Sequence, residues 1–157
     1  MKKYLIVFLI SMVPLIELRG AIPYAVGFGL PTLPSYVVAV IGNMLPVPFI
    51  FLFARKILEW GKDKRFIGKF FTFCLEKGEK GGRKLQEKAG RGLYVALLLF
   101  VGIPLPGTGA WTGTLAASLL NMDFKKSTVA VMLGVILAGI IMLIASFGVV
   151  GAVNLFK

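Results

Sequence analysis

The chain has 157 residues, 57% of them hydrophobic and only 16% charged, with a mean hydropathy of +0.86. A soluble domain averages roughly 45–50% apolar and about 25% charged, so a disordered chain, a collagen and a disulfide-rich module are excluded and an ordinary soluble enzyme is disfavoured. No His and one Cys, Cys74, leave nothing for a zinc site, a His triad or an internal disulfide, and a net charge of +11 on so apolar a chain points to anionic lipid headgroups, not nucleic acid.

Three apolar stretches, roughly 4–53, 93–120 and 127–153, flank a segment, 54–92, that carries 12 of the 18 Lys/Arg and 5 of the 7 acids. A bilayer core about 30 Å thick needs about 20 apolar residues in helix. Residues 33–53 and 127–153 meet that requirement, so the chain reads as one multi-pass, all-α integral membrane domain over 1–157. Lys2 and Lys3 before an apolar run imitate a signal peptide. That reading fits poorly, because the run ends in Glu17 and Arg19, lacks a small-x-small cleavage site and turns apolar again at once.

The first segment, 4–30, is interrupted in its middle by Pro14, Glu17, Arg19, Gly20 and Pro23. Proline removes a backbone donor and clashes with the preceding turn. A straight helix of that length would run about 40 Å, whereas each arm of a broken one reaches about 15 Å, the bilayer midplane. The segment is therefore either a kinked spanning helix or a re-entrant helical hairpin, and the hairpin is favoured. Broken backbone at that depth must be covered by protein or line a cavity. The span at 33–53 carries Pro46 and Pro48, which should kink it, and an isolated Asn43, either a site residue or a helix–helix hydrogen bond.

Within 54–92, Ile67, Phe70, Phe71, Cys74 and Leu75 fall on one helical face among Lys62, Lys64, Arg65, Lys69 and Lys77. This predicts a basic amphipathic helix lying in the interface plane, ended by Gly78, Gly81 and Gly82; the alternative is a solvated loop. The segment 93–120 is interrupted like the first, by Pro104, Pro106, Gly107 and Gly109. The last span, 127–153, carries Gly134, Ala138 and Gly139, which permit close packing within a protomer or in a homo-oligomer.

The halves resemble each other. Tyr4–Pro14 matches Tyr94–Pro104, a Gly-Ala pair follows each, and Ser35–Gly42 matches Ser127–Gly134. Two repeats are predicted, 1–53 and 93–157, each a Pro/Gly-broken hairpin plus a transmembrane helix, joined by the basic linker 54–92. The positive-inside rule puts 54–92 in the cytoplasm. It divides Lys/Arg 14 to 3 for hairpins and 15 to 2 for kinked helices, leaving Arg19 out, so charge alone does not choose.

Paired Gly/Pro interruptions are the sequence pointer to a transporter's site. Each charge near the bilayer centre costs about 2.5–3.5 kcal/mol on insertion scales, so Glu17 and Arg19 need a reason to be there. One reason is structural: an internal ion pair, or Arg19 capping hairpin carbonyls. The other is functional: in an unwound tip both face one cavity, with Glu17 titrating and Arg19 holding phosphate bidentately. Around them the candidate substrate site gathers Gly20, the amides of Gly107 and Gly109, Thr108, Trp111, Thr112 and Asn43. No nucleophile–base pair, metal cluster or cofactor motif is present, so neither an enzyme nor a cofactor is expected.

PLIELRGAIP (14–23) and GIPLPGTGAWTG (102–113) resemble the two signature stretches of the small multidrug export protein family, and the likeness covers nearly the whole chain. That family is distantly similar to the DedA superfamily, whose members have paired re-entrant hairpins and are linked to lipid scrambling and polyprenyl-phosphate recycling. The resemblance implies a prokaryotic cytoplasmic membrane, Glu17 as the membrane acid and Arg19 as a phosphate-holding Arg. The chain departs from the DedA pattern at 104–113, which has neither acid nor Arg. The expected function is an ion- or proton-coupled flippase or transporter of an anionic, phosphate-bearing lipid or small molecule. The alternatives are a proton-coupled small multidrug exporter and a membrane scaffold.

Overall fold

The computed structural model describes residues 2–14, 16–64, 90, 92–105 and 107–155, with 68, 69, 72 and 76 from the middle segment. Most of the amphipathic stretch predicted at 62–77 lies outside the described residues. The described residues form helices and no strand: α1 (Lys2–Met12), α2 (Glu17–Gly27), α3 (Thr32–Met44), α4 (Val47–Gly61), α5 (Gly92–Gly102), α6 (Ala110–Leu119) and α7 (Phe124–Leu155).

Proline sets the breaks. Pro14 separates α1 from α2, and Pro104 lies just beyond α5. Pro46 and Pro48 offer no N–H to the carbonyls four residues back, so α3 and α4 meet at a two-residue interruption. Backbone bonds continue on both sides, from Leu45 N–H to Ile41 O and from Ile50 N–H to Pro46 O. Together these two helices give one apolar stretch, Thr32–Ala54, long enough to cross a membrane; Phe124–Val153 is the other. Only 28% and 33% of their most apolar windows are buried, whereas the core helix of a soluble protein would be mostly covered. Leu33, Ile144 and Val149 are exposed, as suits lipid and not water.

α1, α2, α5 and α6 are each about 15–17 Å long, half a bilayer core. α1 packs on α2 and α3, and α5 on α7; α2 reaches across to α7, and α6 to α4. Lys3 Nζ lies 5.4 Å from the centre of the Phe28 ring, and the Asp123 amide donates to the Tyr94 hydroxyl at 3.4 Å. Residues 3 and 28, at the outer ends of α1 and α2, thus lie close together, as do 94 and 123 beside α5 and α6. Ser118 Oγ donates to Phe51 O (2.8 Å), and the rings of Phe51 and Phe124 meet edge to face at 5.2 Å. This brings 118–124 close to the stretch of α4 that leads into the basic segment.

The same contacts recur in both halves. A Cβ on Gly42 would lie 2.7 Å from Phe8 O, and one on Gly134 2.7 Å from Leu98 O. Both α2 and α6 end in a Schellman turn, with Leu30 N–H on Ala25 O and Met122 N–H on Ala117 O. Left-handed Gly29 and Asn121 make these turns. Gly139 clears the ring of Tyr36, whose hydroxyl donates to Ile136 O at 2.9 Å, and Ala138 is buried. Gly134, Ala138 and Gly139 of α7 thus pack inside the chain.

Because a methyl at Gly42 or Gly134 meets backbone oxygen, which cannot rotate away, Gly42→Ala and Gly134→Ala should each destabilise by about 1–3 kcal/mol, the usual range for overpacking. Thermal unfolding in detergent measures this. Gly148→Ala, with open space around it, should leave the midpoint unchanged.

Candidate functional site

A break between helices leaves carbonyls at the end of one and amides at the start of the next without partners. Between α5 and α6 the break runs from Ile103 to Gly109. Its turn is held locally by Leu105 N–H on Ile103 O (2.8 Å) and Thr108 N–H on Leu105 O (3.2 Å). Side chains of α2 reach carbonyls at one end of the break and amides at the other.

Arg19 Nη1 donates to Leu105 O at 2.6 Å, and Nη2 to Val101 O (3.2 Å), Ile103 O (3.3 Å) and Thr108 Oγ1 (2.9 Å). The Thr108 hydroxyl has Ile103 O and Leu105 O as acceptors, both at 2.9 Å. The guanidinium therefore caps the C-terminal end of α5, the negative end of its dipole. Glu17, only 3% exposed, does the converse. Its Oε2 accepts the Ala110 amide at 3.2 Å and its Oε1 the Trp111 amide at 2.9 Å. A carboxylate on α2 is thus the N-terminal cap of α6, where an anion is favoured.

Two backbone features admit this arrangement. Glu17 itself is left-handed (φ 52°), an uncommon conformation for a residue with a side chain. Gly109 has φ 144°, and a Cβ there would collide with Glu17 Oε2. The carboxylate fills the space that a side chain at 109 would need.

The structure corrects one expectation. Glu17 and Arg19 do not share an unwound tip. The first break covers only 13–16, and both residues lie in the first turn of α2. With Glu17 left-handed at the start of the helix, the two side chains diverge, and each reaches a different end of the second break. Of the predicted site residues, Glu17, Arg19, Thr108, Gly109 and Trp111 come together. Gly107 supplies a left-handed turn (φ 79°), and Thr112 Oγ1 bonds back to Gly109 O at 3.4 Å. Gly20 is a packing residue, because a Cβ there would meet Ile16 at 2.4 Å. Asn43 is buried, its amide has no hydrogen-bond partner among the described residues, and no hydrogen bond ties it to the cluster. The predicted helix–helix hydrogen bond is absent there.

Sequence reasoning missed the carbonyls of Val101, Ile103 and Leu105, since backbone acceptors carry no residue signature. It also missed a cavity of about 420 Å³ between α4 and α6, lined by Phe49, Phe53, Ile57, Trp111 and Leu115. Trp111 joins the two features: its amide holds Glu17 and its side chain lines the cavity.

A family profile described as "Putative small multi-drug export protein" matches residues 17–141. The chain belongs to this family. The matched region opens on Glu17 and contains every residue of the two-ended cap. No curated protein and no solved structure matches the chain, and nothing in the comparisons supports the more distant DedA likeness. Family membership together with two spanning-length apolar helices makes this a membrane protein of the small multi-drug export family.

The geometry gives opposite expectations for an ion pair and for a two-ended cap. If Glu17 and Arg19 only neutralised one another, removing both would be milder than removing either. As caps on separate helix ends, Glu17→Gln and Arg19→Gln should each cost about 1.5–3 kcal/mol, the range for hydrogen bonds to charged groups, and the double variant more than either single one. A double-mutant cycle on unfolding free energy in detergent decides between them.

Proposed function

We propose that the chain is a proton-coupled membrane exporter of lipophilic cations and that Glu17 is its coupling group. The observation that carries this reading is the buried Glu17 carboxylate on the amides of Ala110 and Trp111, beside an aromatic cavity that shares Trp111. The carboxylate holds α6 by its charge. Protonation weakens that hold, because a neutral carboxyl is a poorer acceptor for a helix N-terminus. A bound cation at the cavity competes for the same charge. Proton and substrate thus act alternately on one group, and each changes how firmly α6 is held against α2. The aromatic walls of Phe49, Phe53 and Trp111 suit a flat or quaternary cation.

A cation in the site would ordinarily repel such a substrate. Here the guanidinium of Arg19 faces three carbonyl oxygens and a hydroxyl, which offset its charge locally. The reading as a flippase for an anionic, phosphate-bearing substrate has one support of its own. Arg19 Nε and Trp111 Nε1 are buried donors without an acceptor among the described residues. It requires phosphate to displace Glu17 from α6 or the carbonyls from Arg19, and for that reason we place it second.

The same proposal takes the two broken segments as re-entrant hairpins in inverted repeats. It is supported by the fold-back of Lys3 to Phe28 and of Tyr94 to Asp123, and by the matched glycine contacts. Both termini then lie outside, with 54–92 and 120–126 in the cytoplasm.

Topology is tested with single cysteines at positions 2 and 123 in a Cys74→Ser background. Position 123 should label from the cytoplasmic side and position 2 from the other; labelling of position 2 only from the cytoplasmic side would overturn the inverted arrangement. Transport is tested in proteoliposomes with an imposed pH gradient and tetraphenylphosphonium as the probe. Wild type should move the cation against the proton gradient, and folded Glu17→Gln should lose proton dependence. Undiminished proton-driven movement by that variant would remove Glu17 from the mechanism.

A further inference from the structure

A second cavity lies on the opposite helix pair, independent of the export reading. It is a groove of about 870 Å³ between α5 and α7. Its floor is apolar, formed by Val95 and Leu98 from one helix and by Val129 and Leu133 from the other; Val95, Val129 and Leu133 are about half exposed. One end only is polar, where Lys125, Lys126 and Tyr94 line the opening. Asp123, just before the two lysines in the chain, has one carboxylate oxygen on the Lys126 amide at 2.9 Å, as the cap of α7. The Tyr94 hydroxyl accepts the Asp123 amide, which leaves its own proton for another acceptor. Lys126 Nζ lies 5.8 Å from the Tyr94 ring centre.

We infer that this groove binds one anionic phospholipid, with an acyl chain along the α5–α7 seam and its phosphate on Lys125, Lys126 and the Tyr94 hydroxyl. The charge pattern selects the occupant. A neutral hydrocarbon would leave two ammonium groups at the mouth without a counterion, and a soluble anion would leave the apolar floor uncovered. A lipid with an anionic head matches both ends. Its chain would fill the space beside the seam where Gly134 already brings the backbones together.

Native mass spectrometry of the full chain in detergent tests this, with phosphatidylglycerol and phosphatidylcholine of identical acyl chains as probes. Wild type should retain one phosphatidylglycerol in preference to phosphatidylcholine. Lys125→Gln with Lys126→Gln should weaken retention roughly ten- to thirty-fold, from the usual contribution of two lysines near an anionic headgroup. Lys62→Gln with Lys64→Gln, which removes the same charge elsewhere, should change it little. Val129→Trp should also abolish retention, by filling the groove at unchanged charge. Equal loss in the Lys62/Lys64 control, full retention by Val129→Trp, or equal retention of the two lipids would each overturn the assignment.

Discussion

The buried caps that α2 places on both ends of the α5–α6 break are the contact on which the rest of the arrangement depends. Backbone polar groups without partners are costly anywhere away from water, and most costly at membrane depth. The break from Ile103 to Gly109 exposes carbonyls on one side and amides on the other, and no side chain within it is charged. Arg19 covers the first set and Glu17 the second. Each charge also lies at the helix end whose dipole favours it. The pair therefore fastens α2 to the second break through its backbone carbonyls and amides.

The asymmetry between the halves follows from the lengths of the breaks. Between α1 and α2 only four residues intervene, and helical bonds continue across them, from Glu17 N–H to Val13 O and from Gly20 N–H to Ile16 O. That break needs little help from outside. The second is longer and turns more sharply, through Gly107 and Gly109. The charges sit on the half with the short break and serve the half with the long one. This accounts for charged residues in the first signature stretch and their absence from 104–113 without requiring a second charged site.

The cap is made of two charged side chains on one helix, each bonded to backbone groups of another segment. The left-handed backbone at Glu17 and the void above Gly109 that admits its oxygens are local costs that the caps offset. Such features mark a position where conformation is held by one interaction and released with it. The aromatic cavity at Trp111 adjoins this position, whereas none of the cap residues lines the α5–α7 groove.

How much of this was legible in the sequence depends on the kind of signal. Hydropathy and charge segregation located the two long apolar spans, because a bilayer demands some 20 apolar residues in a row. Proline positions located the breaks, because a missing N–H is a property of the residue alone. Glu17 and Arg19 stood out because charges among apolar neighbours are costly. Their partners were not legible. The carbonyls of Val101, Ile103 and Leu105 and the amides of Ala110 and Trp111 belong to the backbone, which every sequence supplies in the same form. Only the crossing of α2 over the second break, with Glu17 left-handed at its start, decided which of them lay within reach of each charge. The cavity of Phe49, Phe53 and Trp111 was hidden for the same reason: it joins helices more than fifty residues apart, and adjacency at that separation is created by packing.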